Sequence, residues 1–331
     1  MGTPTLGIDI SKQNFDAALL DGPDAKPRHK AFPNTAEGFE RLREWLGGIT
    51  AHACLEATGT YGDALARSLH EHGHTVSVVN PARVKGFGQA QMSRTKTDKA
   101  DALLIARFCL LHRPDPWEPP APEHSQLQAL VRRLESLTQM RQMENNRLDT
   151  SDPVVREEIQ DHVTYLDGQI EKTERRIRDH VDGSPTLCRQ SELLDSIPGI
   201  GPATAAALLS ELGDVSQFTG ARQVAAFAGL VPRIRQSGQW KGHVRLSKCG
   251  SSRLRHLLYF PALSALRSNP AIKALRQRLL AAGKAKMLIV GAAMRKLLQI
   301  AFGVLKSGKP FDPSHDRPLS QKIFPKGATT A

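Results

Sequence analysis

A proline-rich segment at residues 113–122 constrains this fold more than any other feature of the sequence. Its letters, RPDPWEPPAP, include five prolines in ten residues. Proline lacks a backbone N–H and has a fixed φ, so neither the interior of a helix nor a central strand can run through such a segment. We therefore predict a linker at residues 113–123, with residues 1–112 folding as a domain before it.

Residues 1–112 alternate between short apolar runs and helical patterns. The patterns predict strands at 5–10, 15–20, 29–32, 51–55 and 75–79, and helices at 35–46, 61–72, 81–89 and 99–112. Three early strands followed by alternating helices and strands favour an α/β fold, with a mixed sheet that carries helices on its faces.

Residues 124–186 contain two long helical patterns, at 125–148 and 154–181, separated by a break at 151–153. Apolar residues recur every three or four positions, and charges of both signs occupy the remaining positions. The pattern predicts a helical hairpin or coiled coil that joins protomers. The alternative is a pair of long helices that pack within one chain.

Residues 187–331 form a mostly helical third part in which the charge is strongly segregated. From Thr219 onward there are 21 Lys and Arg but only 2 Asp and Glu, and no carboxylate occurs between Asp214 and Asp312. A basic region without acids predicts a polyanion partner, because ordinary surfaces intersperse the two signs. The alternatives are a basic surface with no partner and a membrane surface, although the region's single tryptophan, Trp240, lies in a glycine-rich loop.

Other features favour a soluble protein of a reducing cytoplasm. No uncharged apolar stretch reaches the ~18 residues that a membrane helix needs, and the nearest one, residues 287–305, contains Arg295 and Lys296. No secretory leader is predicted at the first residues, MGTPTLGIDISK. The four cysteines are far apart and form no C-x-x-C pair, which argues against disulfides and a cysteine zinc site.

Four carboxylates of the first domain are candidate metal ligands. Asp9 interrupts the strand GIDIS, Glu56 ends the strand in ACLEATG, and Asp98 and Asp101 share one face of the helix that begins in KTDKADA. Clustered carboxylates repel one another unless divalent cations lie between them, and oxygen ligands favour Mg²⁺ or Mn²⁺. Two such ions assist phosphoryl transfer. Alternatively, Asp98 and Asp101 only stabilise a helix N-terminus, and Glu56 is a loop residue.

A glycine turn and a basic loop are candidate nucleic-acid sites. Gly199 and Gly201, in SIPGIGPATAAALLSEL, lie between two helical patterns, as in a helix-hairpin-helix that binds a DNA backbone. A purely structural turn is the alternative. The loop contains Ser237, but Ser247, Ser251 and Ser252 are competing nucleophiles. The cations predicted to bind phosphate are Arg233, Arg235, Lys241, Arg245, Lys248, Arg253 and Arg255.

Six motifs in order resemble the insertion-sequence 110 family of DEDD transposases, and in particular its bridge-RNA-guided members of the insertion sequence 621 kind. They are GIDISK, LEATGTYG, KTDKADA, SIPGIGPATAAALLSEL, AAFAGLVPRIRQSG and LSKCGSSRLRHLLYFPA. The resemblance covers nearly the whole chain. It implies a RuvC-like, RNase H-type domain at 1–112, a coiled-coil segment at 124–186, and a mostly α transposase domain at 187–331.

The same resemblance implies a reaction and its residues. The four acidic positions of the family fall on Asp9, Glu56, Asp98 and Asp101, which would hold Mg²⁺, and its nucleophile falls on Ser237, which would form a transient phosphoserine link to DNA. The implied partners are element-end and target DNA, a structured non-coding (bridge) RNA and further copies of the chain, as dimers or tetramers, in the bacterial cytoplasm and without a membrane. RNA guidance comes from the resemblance only.

Two other functions fit the same residues. In a metal-dependent, structure-specific endonuclease of the Holliday-junction kind, water would be the nucleophile and Ser237 a phosphate contact. In a non-catalytic nucleic-acid-binding scaffold, neither Asp9 nor Ser237 would matter for activity.

Overall fold

The chain forms two compact units, Met1–Pro119 and Pro120–Ala331, in the computed structural model. The structure describes residues 3–23, 25–57, 59–92, 97–233, 236–237, 240–241 and 245–315. The break between the units falls within the proline-rich segment.

A five-stranded mixed sheet forms the centre of the first unit, which confirms the predicted α/β fold. Its strands are β1 (Thr5–Ile10), β2 (Asn14–Leu20), β3 (Arg28–Pro33), β4 (His52–Glu56) and β5 (Thr75–Val79), each within one residue of its predicted bounds. The order across the sheet is β3-β2-β1-β4-β5. The first three strands are antiparallel, and β4 and β5 continue the sheet in parallel with β1.

Four helices cover the two faces of this sheet. They are α1 (Ala36–Leu46), α2 (Asp63–Glu71), α3 (Pro81–Ala90) and α4 (Asp98–His112). Side chains alternate along each strand, so α1 and α2 pack on the face of Leu6, Ile8 and Phe15. The opposite face receives α4 through Ala18 and Leu20. Helices α1 and α4 start at side-chain caps, since the hydroxyl of Thr35 accepts from Gly38 N and that of Thr97 from Ala100 N.

The close contact between α4 and β1 depends on Gly7. A Cβ atom at this position would lie 2.1 Å from the backbone N of Ala106 and 2.2 Å from the carbonyl O of Ala102. Only glycine permits this approach. The glycine that precedes Asp9 in the strand therefore allows the helix that begins with Asp98 to lie against it.

The described part of the second unit is mostly helical. Its helices are α5 (Pro122–Thr150), α6 (Pro153–Asp182), α7 (Pro185–Asp195), α8 (Pro202–Leu212), α9 (Ala221–Phe227), α10 (Ser252–Leu257), α11 (Tyr259–Ser268), α12 (Pro270–Ala281) and α13 (Lys286–Ser307). Five of them begin with proline, at a position where its missing N–H costs no hydrogen bond. Four two-residue strands lie between α9 and α10: β6 (Pro232–Arg233), β7 (Gln236–Ser237), β8 (Trp240–Lys241) and β9 (Arg245–Leu246).

Helices α5 and α6 form the long hairpin that the periodicity predicts. At its base, Leu127 and Val131 join the main core of the second unit together with Ile177 and Val181. Further out, Leu137 packs with α6 side chains in a separate small cluster. The hairpin thus belongs to the same compact unit as the helices that follow it. The predicted boundary between residues 124–186 and 187–331 stays a prediction.

Helix α13 is the apolar helix of the unit's core. By length and composition it could cross a membrane, but 61% of its most apolar window is buried inside the protein. Leu297, Leu298 and Ala301 are fully buried in the main core. Burial of this kind is what the core helix of a water-soluble fold shows.

Candidate functional site

The four predicted carboxylates of the first unit lie close together in the structure. Asp9 is near the end of β1, and Glu56 is the last residue of the parallel neighbour β4, where the pairing of Ile8 with Leu55 puts the two carboxylates side by side. Asp98 and Asp101 lie in the first turn of α4, which packs against β1.

The pKa values of two of these groups record their crowding. Burial and the negative charges of Asp101, Asp98 and Asp16 together raise the pKa of Asp9 to about 6. Burial also raises the pKa of Glu56, as do the charges of Asp9 and Asp101. A negative charge at this site is therefore costly, which is the condition under which a divalent cation is held.

The donor set fits a divalent ion, although the side chains are not arranged as a closed cage. Among the residues that the structure describes, no group of three His, Cys, Asp or Glu side chains is arranged to hold a metal ion. All four groups are carboxylates, the ligand type of Mg²⁺ and Mn²⁺. Asp98 is exposed and Asp101 is partly exposed.

A cavity of about 470 Å³ adjoins the carboxylates and contains polar residues that the sequence did not single out. Asp16 and Arg41 line it together with Asp9 and Asp98. Asp16 pairs with Asp9 across β1 and β2, so the two carboxylates lie on the same face of the sheet. A hydrogen bond of 2.6 Å joins Asp16 Oδ1 and His29 Nε2. The sequence NFDAALL contains a signal that could have identified Asp16, since this residue interrupts an apolar strand just as Asp9 does.

In the second unit, the two predicted glycines of the turn have different surroundings. Gly199 has a φ of +105°, and a Cβ there would lie 2.7 Å from the Cβ of Ala265 in α11. Packing against α11 therefore accounts for this glycine, in keeping with the structural alternative. Gly201 is the N-cap of α8, and a Cβ there would meet no atom within 4 Å. Its role in nucleic-acid binding stays a prediction.

Ser237 is exposed on a short β-ribbon. It lies in β7 and pairs with Trp240 of the antiparallel strand β8. Nearer the body of the unit, Arg233 of β6 pairs with Arg245 of β9, and both side chains are exposed. The Ser237 side chain is thus accessible to a large polyanion, and the cations Arg233 and Arg245 lie across from each other on β6 and β9.

The remaining predicted cations fall into three groups. Lys248 is exposed and has a left-handed backbone with a φ of 54°. For Lys241 the structure describes the backbone only, and Arg235 lies outside the described residues.

Arg253 and Arg255 have partners within the protein. Arg253 Nη1 lies 3.7 Å from Glu211 Oε1 and 3.8 Å from Glu135 Oε2. Arg255 Nη1 donates to the backbone carbonyls of Ala228, Gly250 and Ser251 at 3.0–3.1 Å. These contacts give both arginines structural roles that the basic composition of the loop did not indicate.

Comparison with known proteins finds transposases over most of the chain. A family described as "Transposase", DEDD_Tnp_IS110, matches residues 6–151, and one described as "Transposase IS116/IS110/IS902 family" matches residues 191–277. The pilin gene-inverting protein of Moraxella bovis is 33% identical over 319 residues, which cover 94% of this chain and 98% of that protein. The transposase for insertion sequence element IS1328 of Yersinia enterocolitica is 27% identical, over 76% of this chain and 81% of that protein.

Proposed function

The chain belongs to the IS116/IS110/IS902 family of insertion-sequence transposases, and on that premise we propose that it recombines element-end and target DNA through a phosphoserine intermediate at Ser237. We further propose that a structured non-coding (bridge) RNA selects the DNA sites. The protein acts in the bacterial cytoplasm as a dimer or tetramer, joined through the α5–α6 hairpin.

The sheet of the first unit supports an RNase H-like, RuvC-like assignment. Three antiparallel strands followed by two parallel ones, in the order β3-β2-β1-β4-β5, are typical of that fold. The pair α7 and α8, joined by the turn with Gly199 and Gly201, supports a helix-hairpin-helix-like motif. Both assignments rest on topology and on the family.

Asp9, Glu56, Asp98 and Asp101 are the groups that would hold a divalent metal in this proposal. When bound, Mg²⁺, or Mn²⁺ in its place, would position the scissile phosphate and favour the ionised form of the attacking hydroxyl. The raised pKa values of Asp9 and Glu56 support this assignment, because cation binding would relieve the repulsion that raises them. The carboxylates act together, so the loss of any one weakens the site.

Ser237 carries the covalent step. Its Oγ attacks the phosphorus and loses its proton, an Oγ–P bond forms, and the P–O bond to one DNA strand breaks to leave a free hydroxyl. A free hydroxyl of the exchanged strand then attacks the phosphoserine, which restores a P–O bond in DNA and returns the proton to Ser237. Arg233 and Arg245 would stabilise the charge on the phosphate. The exposure of Ser237, in a chain segment whose β6–β9 pair carries the exposed Arg233 and Arg245, is the observation that carries the proposal.

A metal-dependent, structure-specific endonuclease remains the second candidate. The carboxylate cluster favours it, because such a cluster can activate water without any serine. The two functions differ in whether a covalent adduct forms.

The adduct is therefore the decisive measurement. The protein is co-expressed with the flanking non-coding DNA of its element, mixed with element-end and target DNA and Mg²⁺, and quenched in denaturant. We expect DNA linked to a peptide that contains Ser237, and no adduct with Ser237→Ala or with Asp98→Asn. Ser252→Ala, at an exposed serine nearby, is the matched control and should retain the adduct. Cleaved DNA without an adduct would replace the proposal by the endonuclease.

A further inference from the structure

The ribbon that carries Ser237, of which the structure describes residues 231–233, 236–237, 240–241 and 245–247, joins the second unit through a narrow base. On one side the chain leaves α9 through Ala228 and Leu230, both fully buried. On the other side it returns through residues 248–251. Backbone bonds close the base: Lys248 N donates to Gly229 O at 3.3 Å, and Ser251 N donates to Phe227 O at 2.8 Å. The direction of the ribbon is set here, because strands of two residues are too short to orient it.

Two glycines allow the chains at the base to touch. A Cβ on Gly250 would lie 2.3 Å from the carbonyl O of Phe227 and 2.6 Å from the backbone N of Gly229. Both glycines have positive φ values, 66° at Gly229 and 149° at Gly250. The base is thus a close backbone-to-backbone contact with no room for a side chain.

Arg255 binds this contact from the side of α10. Its Nη1 donates to Ala228 O at 3.0 Å on the outgoing chain, and to Gly250 O at 3.0 Å and Ser251 O at 3.1 Å on the returning chain. A Cβ on Gly229 would lie 2.6 Å from the same nitrogen. One charged group therefore holds both ends of the ribbon, and bonds from a charged donor are stronger than neutral ones.

We infer that Arg255 is a positioning residue, which fixes the direction of the ribbon and thereby of Ser237, and is not a phosphate contact. The inference about catalysis rests on the proposed role of Ser237. The inference that Arg255 fixes the ribbon does not depend on that role, because it follows from the hydrogen bonds of Arg255 to three backbone carbonyls. Loss of the guanidinium would leave the base with its backbone bonds and the bond that Ser247 Oγ donates to Gly229 O at 3.4 Å, so the strands of the ribbon would tilt more freely.

The first test measures the ribbon in the full-length protein without DNA. In Arg255→Gln, we expect the backbone amides of Lys248 and Ser251 to exchange hydrogen at least fivefold faster than in the wild type. Arg133→Gln, at an exposed arginine of α5 in the same unit, is the matched control and should leave these rates unchanged. Equal rates in Arg255→Gln and the wild type would refute the role in the ribbon, whatever the chemistry of Ser237.

The second test separates positioning from phosphate contact. Arg255→Gln should slow single-turnover formation of the Ser237 adduct at least tenfold, while the Kd for DNA and the slope of log K against log salt stay unchanged. Arg255→Lys, which retains a charged donor, should recover most of the rate, and it supplies the comparison if the glutamine variant does not fold. A salt slope smaller by about one would make Arg255 a phosphate contact and overturn the inference.

Failure of the proposed function and failure of the proposed role of Arg255 give different experimental results. If the wild type cleaves DNA without an adduct, the proposed function fails, and the exchange rates still decide whether Arg255 positions the ribbon. If the adduct forms but Arg255→Gln forms it at the wild-type rate, the positioning role fails alone.

Discussion

At the residue scale, Asp9 is a proposed metal ligand whose negative charge is unfavourable in the folded protein. It is half-buried and its pKa lies near 6, because burial and three neighbouring carboxylates disfavour its charge. The folded protein therefore holds a proton at Asp9 more tightly than the unfolded chain does. Stability from this group is present at low pH and is lost as the pH rises from about 4 to about 6.

Asp9→Asn should therefore stabilise the protein at neutral pH while abolishing DNA cleavage. Without divalent ions, we expect a gain in the free energy of unfolding of about 1 kcal/mol at pH 7.5, after the reduction that partial exposure imposes. No gain is expected at pH 4 or below, where the wild-type carboxyl is protonated. Urea unfolding at the two pH values measures this. Asp21→Asn, at an exposed surface residue, is the control. A gain at pH 4 equal to that at pH 7.5 would contradict the account.

At the element scale, the contact of α4 with β1 places the carboxylates of the proposed metal site together. Helix α4 carries Asp98 and Asp101, and β1 carries Asp9. The sequence predicted both elements from their local patterns, and their observed bounds agree closely. It did not predict how near they approach, because that distance depends on the missing side chain of Gly7 opposite Ala102 and Ala106, about a hundred residues further along the chain.

Gly7→Ala should force these two elements apart. The added methyl would meet backbone atoms that cannot rotate away, and we expect a loss of about 3 kcal/mol in the free energy of unfolding, together with loss of cleavage. Gly86→Ala is the control, since this glycine is inside α3 with no atom within 4 Å of the added Cβ. That variant should be more stable by about 0.5 kcal/mol. Denaturant unfolding measures the free energy of unfolding of both variants. Equal changes in Gly7→Ala and Gly86→Ala would refute the claim that the approach of α4 to β1 requires a glycine.

At the scale of the whole molecule, the two units divide the chemistry. The first has its own core around the sheet and holds the carboxylates. The second unit has a larger core and nearly all the uncompensated positive charge, since no Asp or Glu occurs between Asp214 and Asp312. Carboxylates that repel phosphate and cations that attract it are thus carried on different units.

A fragment of residues 120–331 should therefore retain most of the nucleic-acid affinity. We expect its binding to weaken steeply with salt, because phosphate contacts release counterions. A fragment of residues 1–119 should fold alone and bind DNA at least a hundredfold more weakly. Binding isotherms at several salt concentrations measure both. Comparable affinity of the two fragments would contradict the division of roles.

The sequence by itself determined the local elements, the break between the two units and the segregation of charge, because each depends on residues that are neighbours along the chain. It also identified the carboxylates as candidates, whereas Ser237 was distinguished from Ser247, Ser251 and Ser252 only by the resemblance to the family. Only the tertiary structure decided which polar groups meet: Asp16 beside Asp9, Arg253 between Glu135 and Glu211, and Arg255 on the base of the ribbon. The physical reason is that an ion pair or a hydrogen bond depends on distances of a few ångströms between atoms that are often far apart in the chain. Such distances are set by how the elements pack and leave no pattern in composition or spacing.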